Sequence, residues 1–260
     1  MSGLVRVETD GGIRTVTVDR PEKLNALSRA VLAELEAAFA EAGADPALRC
    51  LIVTGAGEKA FIAGADIGEL VKLTPLEGRE HARQGQSVVG LLDRLPFPSI
   101  AAINGYAYGG GLELAMACTL RVASENAKMG LPETSLGILP GYGGTQRLAR
   151  LAGRAKAAEL ILTSEKGLTA AEALRCNIIN RVVPAGGALA GAMELARAIV
   201  RNGPAACRYA LEAIRAGIEM PLPEALDYEA TLFGLCAATE DMKEGMSAFL
   251  EKRPARFTGR

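Results

Sequence analysis

The amino-acid sequence predicts an α/β fold in which short strands alternate with helices up to about residue 130 and helices dominate the rest. Two runs, at residues 51–54 and 99–103, are too short and too apolar for anything but buried strands. Between and after them, apolar residues recur at helical spacing. From residue 144 onward, prolines rather than strands interrupt the helical segments.

The chain is expected to open with a β-hairpin followed by a helix. β-rich runs at residues 5–7 and 13–18 flank Asp10-Gly11-Gly12, whose residues tolerate the positive φ angles of a tight turn. Ser28 is the expected N-cap of a helix that runs through residue 43, because the apolar residues there repeat every three or four positions.

The next elements are predicted from apolar spacing and from prolines. Asp66 begins a second helical stretch, and residues 76–95 form a longer helix that is stopped by Pro96. After the buried strand at residues 99–103, we expect a helix at residues 109–118 and a strand at residues 120–123.

The remainder is predicted to be helical, apart from a short β-prone patch at residues 178–183. No repeat of 20 to 50 residues and no low-complexity linker occurs. Glycine-containing residues 185–187 and 202–204 are the plausible hinges. We therefore expect an α/β core at residues 1–200 and a C-terminal helical region at residues 201–260.

Composition excludes several classes of protein. Twenty-nine Lys and Arg against 30 Asp and Glu give a net charge of −1, which offers no overall attraction to nucleic acid or to an anionic membrane. No C-x-x-C pair occurs among the five cysteines, and the single histidine, His81, cannot build a multi-histidine metal site. The sequence shows neither a signal-peptide pattern nor a run of 18 uncharged apolar residues, so a cytoplasmic location is expected.

One glycine motif is interpreted as a turn. Residues 55–60 fit the G-x-G-x-x-A pattern of dinucleotide-binding proteins. However, the apolar, β-prone Phe61 and Ile62 follow it, where a dinucleotide site needs a helix.

Two segments at predicted helix starts are better candidates for a site. At residues 63–67, either Asp66 simply caps a helix, or the small residues let a substrate reach backbone N–H groups. Three consecutive glycines at residues 109–111 cost conformational entropy, which favours a close approach of backbone or ligand there. Glu113 follows in an otherwise apolar helix, where a carboxylate is costly unless it is paired, hydrogen-bonded or functional.

A second carboxylate, Glu133, precedes the glycine-rich residues 137–145. By itself it could be a solvated turn residue or an acid at a helix N-terminus. Together with Glu113 it supplies two proton-handling groups, and the two glycine-rich helix starts supply two backbone anion sites. These are the parts required for chemistry through an enolate-like intermediate.

Several motifs occur together in an order that is more specific than any one of them. They are Arg20-Pro21, Leu24-Asn25-Ala26-Leu27, and the segments 61–67, 103–114, 131–133 and 137–148. In these motifs essentially the whole chain resembles the enoyl-CoA hydratase/isomerase (crotonase) superfamily, and is most like a short-chain enoyl-CoA hydratase. The fold implied is a spiral of repeated ββα units with a C-terminal helical region used in oligomerisation.

The resemblance implies a role for each matching residue. Backbone N–H groups of Ala65 and Gly110 would bind the thioester carbonyl oxygen of an acyl-CoA. Glu113 and Glu133 would hold one water between them. In that arrangement, Glu113 assists attack on C3 and Glu133 exchanges the proton at C2 in a syn addition. Isomerases of the family often work with one glutamate, so the presence of both favours hydration.

Other matching positions are implied to bind the substrate. Gly141 would lie near the water and the second glutamate, where a side chain would crowd the substrate. Lys252, in a basic C-terminal segment, would help to hold CoA phosphates, often from a neighbouring subunit. The full substrate-binding set is Ala63, Gly64, Asp66, Ile67, Gly109, Gly141 and Lys252.

The implied activity is that of a hydro-lyase that converts trans-2-enoyl-CoA into 3-hydroxyacyl-CoA, with no metal and no cofactor beyond the coenzyme A of the substrate. Double-bond isomerisation, thioester hydrolysis and decarboxylation use the same oxyanion site and remain alternatives. A noncatalytic RNA-binding relative is disfavoured by the net charge.

The resemblance also implies a homotrimer or homohexamer. Fatty-acid β-oxidation, amino-acid breakdown and aromatic-acid degradation all use such hydratases. His81 receives no role.

Overall fold

A computed structural model describes residues 3–260 of the chain, and within that range it contains ten strands and eleven α-helices. The strands are β1 (Val5–Asp10), β2 (Ile13–Val18), β3 (Cys50–Gly55), β4 (Ala60–Ala63), β5 (Ser99–Ile103), β6 (Tyr106–Tyr108), β7 (Leu120–Ser124), β8 (Lys128–Gly130), β9 (Leu168–Thr169) and β10 (Arg181–Val183). The helices are α1 (Arg29–Ala44), α2 (Ile67–Leu70), α3 (Pro75–Gly90), α4 (Gly110–Ala117), α5 (Gly144–Ala152), α6 (Arg154–Leu162), α7 (Ala170–Arg175), α8 (Ala188–Val200), α9 (Pro204–Gly217), α10 (Leu222–Ala237) and α11 (Glu240–Leu250).

The strands form two sheets. The six-stranded sheet has the order β1-β2-β3-β5-β7-β10, and the four-stranded sheet has the order β4-β6-β8-β9. From β3 to β8, consecutive strands alternate between the sheets, and each pair is followed by one or more helices. This confirms the predicted α/β class and shows the repeated ββα order of the spiral.

The central strands of the six-stranded sheet are buried on both faces. Cys50 and Ile52 of β3 pack on one side with the alanine face of α8, whereas Leu51 and Val53 face the main core. A strand with two covered faces needs apolar residues at every position, which explains why β3 lacks polar alternation. The buried strands predicted at residues 51–54 and 99–103 are therefore confirmed.

The N-terminal elements also form as predicted. β1 and β2 pair antiparallel with Asp10 opposite Ile13, and Gly11 and Gly12 between them have φ angles of 54° and 81°. Ser28 caps α1, since its side chain accepts a hydrogen bond from the Val31 backbone N–H.

The long helix expected at residues 76–95 is shorter than predicted. α3 ends at Gly90, and a single 3₁₀ turn, Leu92–Arg94, follows. Leu95 is extended, with a ψ of 136°, because the ring of Pro96 disfavours helical backbone in the residue before it.

The prediction that residues beyond 130 are helical apart from one patch was wrong at β9. Leu168–Thr169 pairs antiparallel with β8. Two residues carry no detectable periodicity, and Thr169 also caps α7, which gives it a helical signature. In the patch at residues 178–183, only Arg181–Val183 forms a strand, while Ile178 and Ile179 are buried in the main core.

The motif at residues 55–60 turns the chain as predicted: β3 ends at Gly55, residues 56–59 form the turn, and β4 begins at Ala60. Gly57 has a φ of 77°, and no helix follows. Two asparagine amides hold this turn: Asn25 donates to the carbonyls of Ala56 and Ala60, and Asn104 donates to that of Gly57. The asparagines of two motifs thus fix the turn that leads into the candidate site.

Beyond residue 200, α9 and α10 pack against each other, and α10 contacts α11. Across residues 3–260, no helix combines the length and the apolar character that crossing a membrane requires. The division of the chain at residue 200 stays a prediction.

Candidate active site

The carboxyl ends of three neighbouring strands in the four-stranded sheet deliver the candidate site. β4, β6 and β8 run parallel, with Ala63 opposite Tyr108 and Tyr108 opposite Gly130. Ala65 therefore lies two residues beyond Ala63, and Gly110 lies two residues beyond Tyr108. Glu133 lies three residues beyond Gly130. Parallel sheets bind ligands at this edge, where the chain leaves each strand.

Two backbone amides at this edge are free to bind an acceptor. Ala65 forms a parallel bridge with Leu27, in which the Leu27 N–H donates to the Gly64 carbonyl and the Asp66 N–H donates to the Leu27 carbonyl. Gly110 is the first residue of α4, where no intrahelical acceptor exists. Within residues 3–260, neither the Ala65 N–H nor the Gly110 N–H donates to a protein acceptor.

These two amides lie close together. A β-carbon placed on Gly109 would be 3.7 Å from the Cα of Gly64, so the residues immediately before the two amides are neighbours. Two adjacent N–H donors, one of them at a helix N-terminus, suit an oxygen that becomes negative during a reaction.

At each of the three consecutive glycines, a β-carbon would meet a different neighbour. Gly109 has a φ of 50°, and a β-carbon there would lie 2.6 Å from Oε1 of Glu133. A β-carbon on Gly110 would meet the ring of Tyr142 at 3.1 Å, and one on Gly111 would lie 2.0 Å from the Ile62 carbonyl oxygen. The expected close approaches are present, because the glycines bring α4 against β4 and against the side chains of the site.

Glu113 is buried on α4, with 1% of its surface exposed. Its Oε1 accepts hydrogen bonds from the backbone N–H groups of Tyr142, at 2.8 Å, and Gly144, at 2.7 Å. Burial raises the pKa of Glu113 to about 8, and the negative charge of Glu133 adds to this rise. The two amide hydrogen bonds oppose it.

Glu133 lies in a 3₁₀ turn, Pro132–Leu136, and is also buried. Its Oε2 has no hydrogen-bond partner within the described part of the chain. Burial raises the pKa of this carboxyl to about 7. The solvated-turn interpretation of Glu133 is therefore wrong, and both carboxyls have pKa values at which they can exchange protons near neutral pH.

The second glycine-rich helix start does not bind an external anion, contrary to the prediction of two backbone anion sites. Its amides, from Tyr142 and Gly144, are used by Glu113 itself. The physical reason is that a buried carboxylate needs donors, and the N-terminus of α5 supplies them. Tyr142 and Gly144 were not predicted as site residues, although their glycine-rich segment carries the signal of exposed backbone donors.

The segment at residues 63–67 combines both interpretations. Asp66 caps α2 by accepting from the Gly68 N–H, and it lies 3.8 Å from the guanidinium of Arg20. Gly64 has a φ of 92°, and its carbonyl accepts from the Leu27 N–H. Ile67 is exposed. Ala63 and Ile67 flank the free Ala65 amide along the chain, so a ligand at that amide would lie beside them.

Of the other two predicted binding residues, Gly141 lies beside the site and Lys252 lies at the exposed end of α11. Gly141 precedes Tyr142 and so lies next to the Glu113 side of the site; a β-carbon there would meet Ala82 at 3.5 Å. Lys252 is exposed just beyond α11 and has a φ of 56°. Its backbone N–H donates to the Phe249 carbonyl, and within residues 3–260 no backbone hydrogen bond joins Lys252 to the residues around Ala65 and Gly110. Their binding roles stay predictions.

The arrangement can polarise a carbonyl and move protons beside it. Two free amides are available to bind a carbonyl oxygen, and two buried carboxyls have pKa values raised toward neutral pH, as proton exchange requires. Within residues 3–260, no group of three or more His, Cys, Asp or Glu side chains is placed to hold a metal ion.

Comparisons with known proteins point in the same direction. Residues 8–260 match the family model for enoyl-CoA hydratase/isomerase. The chain is 45% identical to a short-chain-enoyl-CoA hydratase of Clostridium acetobutylicum, covering 96% of this chain and 95% of that protein. It is 43% identical to a crotonyl-CoA hydratase of Syntrophomonas wolfei, covering 96% of each.

A solved structure of an enoyl-CoA hydratase from Bacillus anthracis is similar over 99% of this chain and 100% of that one, with 40% identity and a TM-score of 0.95. Similarity over the whole length, in sequence and in fold, includes every strand end that contributes to the site. The chain therefore belongs to the enoyl-CoA hydratase/isomerase family.

Proposed function

We propose that this protein catalyses the reversible syn addition of water to trans-2-enoyl-CoA, which gives 3-hydroxyacyl-CoA. One observation carries the proposal: two buried carboxyls with raised pKa values lie at the same sheet edge as two free backbone amides. The similarity to a short-chain-enoyl-CoA hydratase of Clostridium acetobutylicum and to a crotonyl-CoA hydratase of Syntrophomonas wolfei supports the same activity.

The residues divide the reaction as follows. The N–H groups of Ala65 and Gly110 bind the thioester oxygen and stabilise the negative charge that develops as the enolate forms. Because both pKa values lie near neutral pH, the state with Glu113 ionised and Glu133 protonated is accessible, and in that state Glu113 takes a proton from a water molecule as the water oxygen bonds to C3. Glu133 delivers a proton to C2, so that the elements of water are added to one face of the double bond. Coenzyme A enters with the substrate, and no further cofactor takes part.

The rest of the substrate is assigned to neighbouring backbone. Gly64, Gly109 and Gly141 leave room for the acyl thioester, and Asp66 fixes the loop through its cap. The backbone of Ala63 and Ile67 holds the adenine end of coenzyme A. Lys252 of an adjacent subunit binds the CoA phosphates.

The proposal includes assembly, location and pathway. We propose a homotrimer or a homohexamer, because the C-terminal helices expose large apolar residues: Ile214, Ile218, Leu222, Leu226, Phe233, Phe249 and Leu250. We further propose that the enzyme works in the cytoplasm and in β-oxidation of fatty acids.

The test is to incubate the purified protein with crotonyl-CoA and follow the loss of the conjugated enoyl absorbance, with the product identified by mass. A gain of one water confirms hydration. A panel of short- and medium-chain acyl-CoA thioesters then separates hydration from isomerisation, hydrolysis and decarboxylation by the mass or position of the product. Absence of a hydrated product from every enoyl-CoA in the panel would reject the proposal.

A further inference from the structure

The single histidine of the chain forms a buried hydrogen bond beside the candidate site. His81 lies on α3 with 7% of its surface exposed, and its Nε2 is 2.7 Å from the hydroxyl oxygen of Tyr142. Tyr142 is likewise buried, with 4% of its surface exposed. The two residues are 61 positions apart in sequence, so the contact is a product of the fold.

α3 is shaped to receive the tyrosine ring. A β-carbon on Gly85 would lie 2.1 Å from Cδ1 and from Cε1 of Tyr142, so the ring rests directly on the helix backbone at this glycine. His81 lies four residues earlier and therefore on the same face of α3. Gly85 and His81 together form a socket, in which one residue admits the ring and the other binds its hydroxyl.

The other end of Tyr142 reaches the reacting groups. Its backbone N–H donates to Oε1 of Glu113 at 2.8 Å. Its ring lies 3.1 Å from the position of a β-carbon on Gly110, whose amide is assigned to the thioester oxygen. A second bond ties the same loop to α3, since the Gln86 side-chain amide donates to the Gly141 carbonyl at 2.9 Å.

The hydrogen bond joins two neutral groups. Burial lowers the pKa of His81 and raises that of Tyr142. The charges of Arg29 and Glu69 also act on both groups, and Glu113 acts on Tyr142. A neutral pair in a buried socket is held by geometry and is expected to persist across the working pH range.

We propose that His81 is a positioning residue: by binding the Tyr142 hydroxyl, it fixes the loop of residues 141–144, whose amides hold the Glu113 carboxylate in the geometry for hydration. This inference rests on the proposed function and deepens it. His81 acts on the reaction through Tyr142 and Glu113, and neither residue of the hydrogen-bonded pair supplies an amide to the thioester oxygen.

The test is a double-mutant cycle with His81→Leu, Tyr142→Phe and the double variant, together with His81→Gln. For each protein, kcat and KM are measured with crotonyl-CoA, and Kd is measured with saturated butyryl-CoA. Tyr209→Phe is the matched control, since that hydroxyl contacts the Arg208 side chain on α9. Melting temperatures and circular dichroism report on folding.

We expect His81→Leu and Tyr142→Phe each to lower kcat about tenfold, because small displacements of a catalytic group cost up to roughly 100-fold. KM and the Kd for butyryl-CoA should stay within about twofold. The kcat of the double variant should be no lower than that of the less active single variant, because both substitutions remove the same hydrogen bond. His81→Gln, whose amide can still bind the hydroxyl, should restore most of kcat, and Tyr209→Phe should match wild type.

Three results would overturn the inference: wild-type kcat in both single variants, a raised KM with unchanged kcat, or effects that multiply in the double variant. If His81→Leu does not fold, Tyr142→Phe decides, since it removes a single oxygen atom. Wild-type protein is assayed first. If wild type forms no 3-hydroxyacyl-CoA, the proposed function fails and the inference with it. If wild type is active and the variants match it, the inference alone fails.

Discussion

Glu113 and Glu133 are both buried, but their oxygens have different partners. Oε1 of Glu113 accepts hydrogen bonds from two backbone N–H groups, whereas Oε2 of Glu133 has no hydrogen-bond partner within residues 3–260. Desolvation raises the pKa of both, to about 8 and about 7. Charging such groups costs the folded state free energy, so the protein gives up stability to keep two proton-exchanging carboxyls at neutral pH.

This cost predicts the pH dependence of a variant. The pKa of Glu113 in the folded state, about 8, lies above its ordinary value of 4.5, so the unfolded chain loses this proton first as pH rises. The contribution of Glu113 to the free energy of unfolding therefore falls as the pH rises from about 5 to about 8. Glu113→Gln has no such titration, and its oxygen can still accept from Tyr142 and Gly144.

We expect the free energy of unfolding of Glu113→Gln to rise relative to wild type as pH increases from 5 to 8. Urea unfolding at several pH values measures the difference. A difference that is constant with pH, or one that turns in favour of wild type as pH rises, would contradict this assignment.

Short elements position the site, and their strand ends matter more than their length. β4, β6 and β8 have only four, three and three residues, yet their parallel pairing places Ala65, Gly110 and Glu133 at one edge. α4 then places Glu113 one helical turn into the chain that follows β6. The glycines at the start of α4 are needed because this packing leaves no room for side chains.

Gly109→Ala is the sharpest test of this packing. A β-carbon would lie 2.6 Å from Oε1 of Glu133, at a φ of 50° that side chains disfavour. We expect kcat for crotonyl-CoA to fall at least ~100-fold and stability to fall by about 1–3 kcal/mol.

Gly78→Ala on α3 is the control, because a β-carbon there meets nothing within 4 Å. It should gain about 0.5–1 kcal/mol in stability and keep wild-type activity. Equal activity of Gly109→Ala and wild type would show that Glu133 does not need its observed position.

The sequence predicts some of these elements better than others. The hairpin at Gly11-Gly12 and the cap at Ser28 follow from local chemistry, so they form where predicted. β9 has two residues, and its pairing with β8 is set by tertiary structure rather than by any period. The contact between His81 and Tyr142 could not be predicted, because it depends on how α3 packs against the loop before α5.

At the scale of the whole molecule, the single chain leaves large apolar side chains in solvent. Phe249 and Leu250, at the end of α11, are 83% and 79% exposed. Burial of such residues between subunits would offset the cost of exposing them, at about 25 cal/mol for each Å² of apolar surface. This observation supports the proposed assembly.

We expect the purified protein to have three or six times the 27.1 kDa mass of the chain in light scattering coupled to gel filtration. Phe249→Glu should shift the distribution toward smaller species, because it would place a charge in an apolar interface. Leu189→Glu on α8, also at an exposed leucine, should leave the mass unchanged. A wild-type protein that remains monomeric at micromolar concentration would contradict the proposed assembly.

The central claim is that Glu113 and Glu133 jointly add water to a thioester held by two amides. Its most direct test compares Glu113→Gln and Glu133→Gln with wild type, with the rate of crotonyl-CoA hydration and the Kd for butyryl-CoA measured on the same preparations. We expect each variant to lose at least ~100-fold in kcat, as is usual for removal of a general acid or base, while butyryl-CoA still binds within a few-fold of wild type. Hydration by either variant within tenfold of the wild-type rate would contradict the claim.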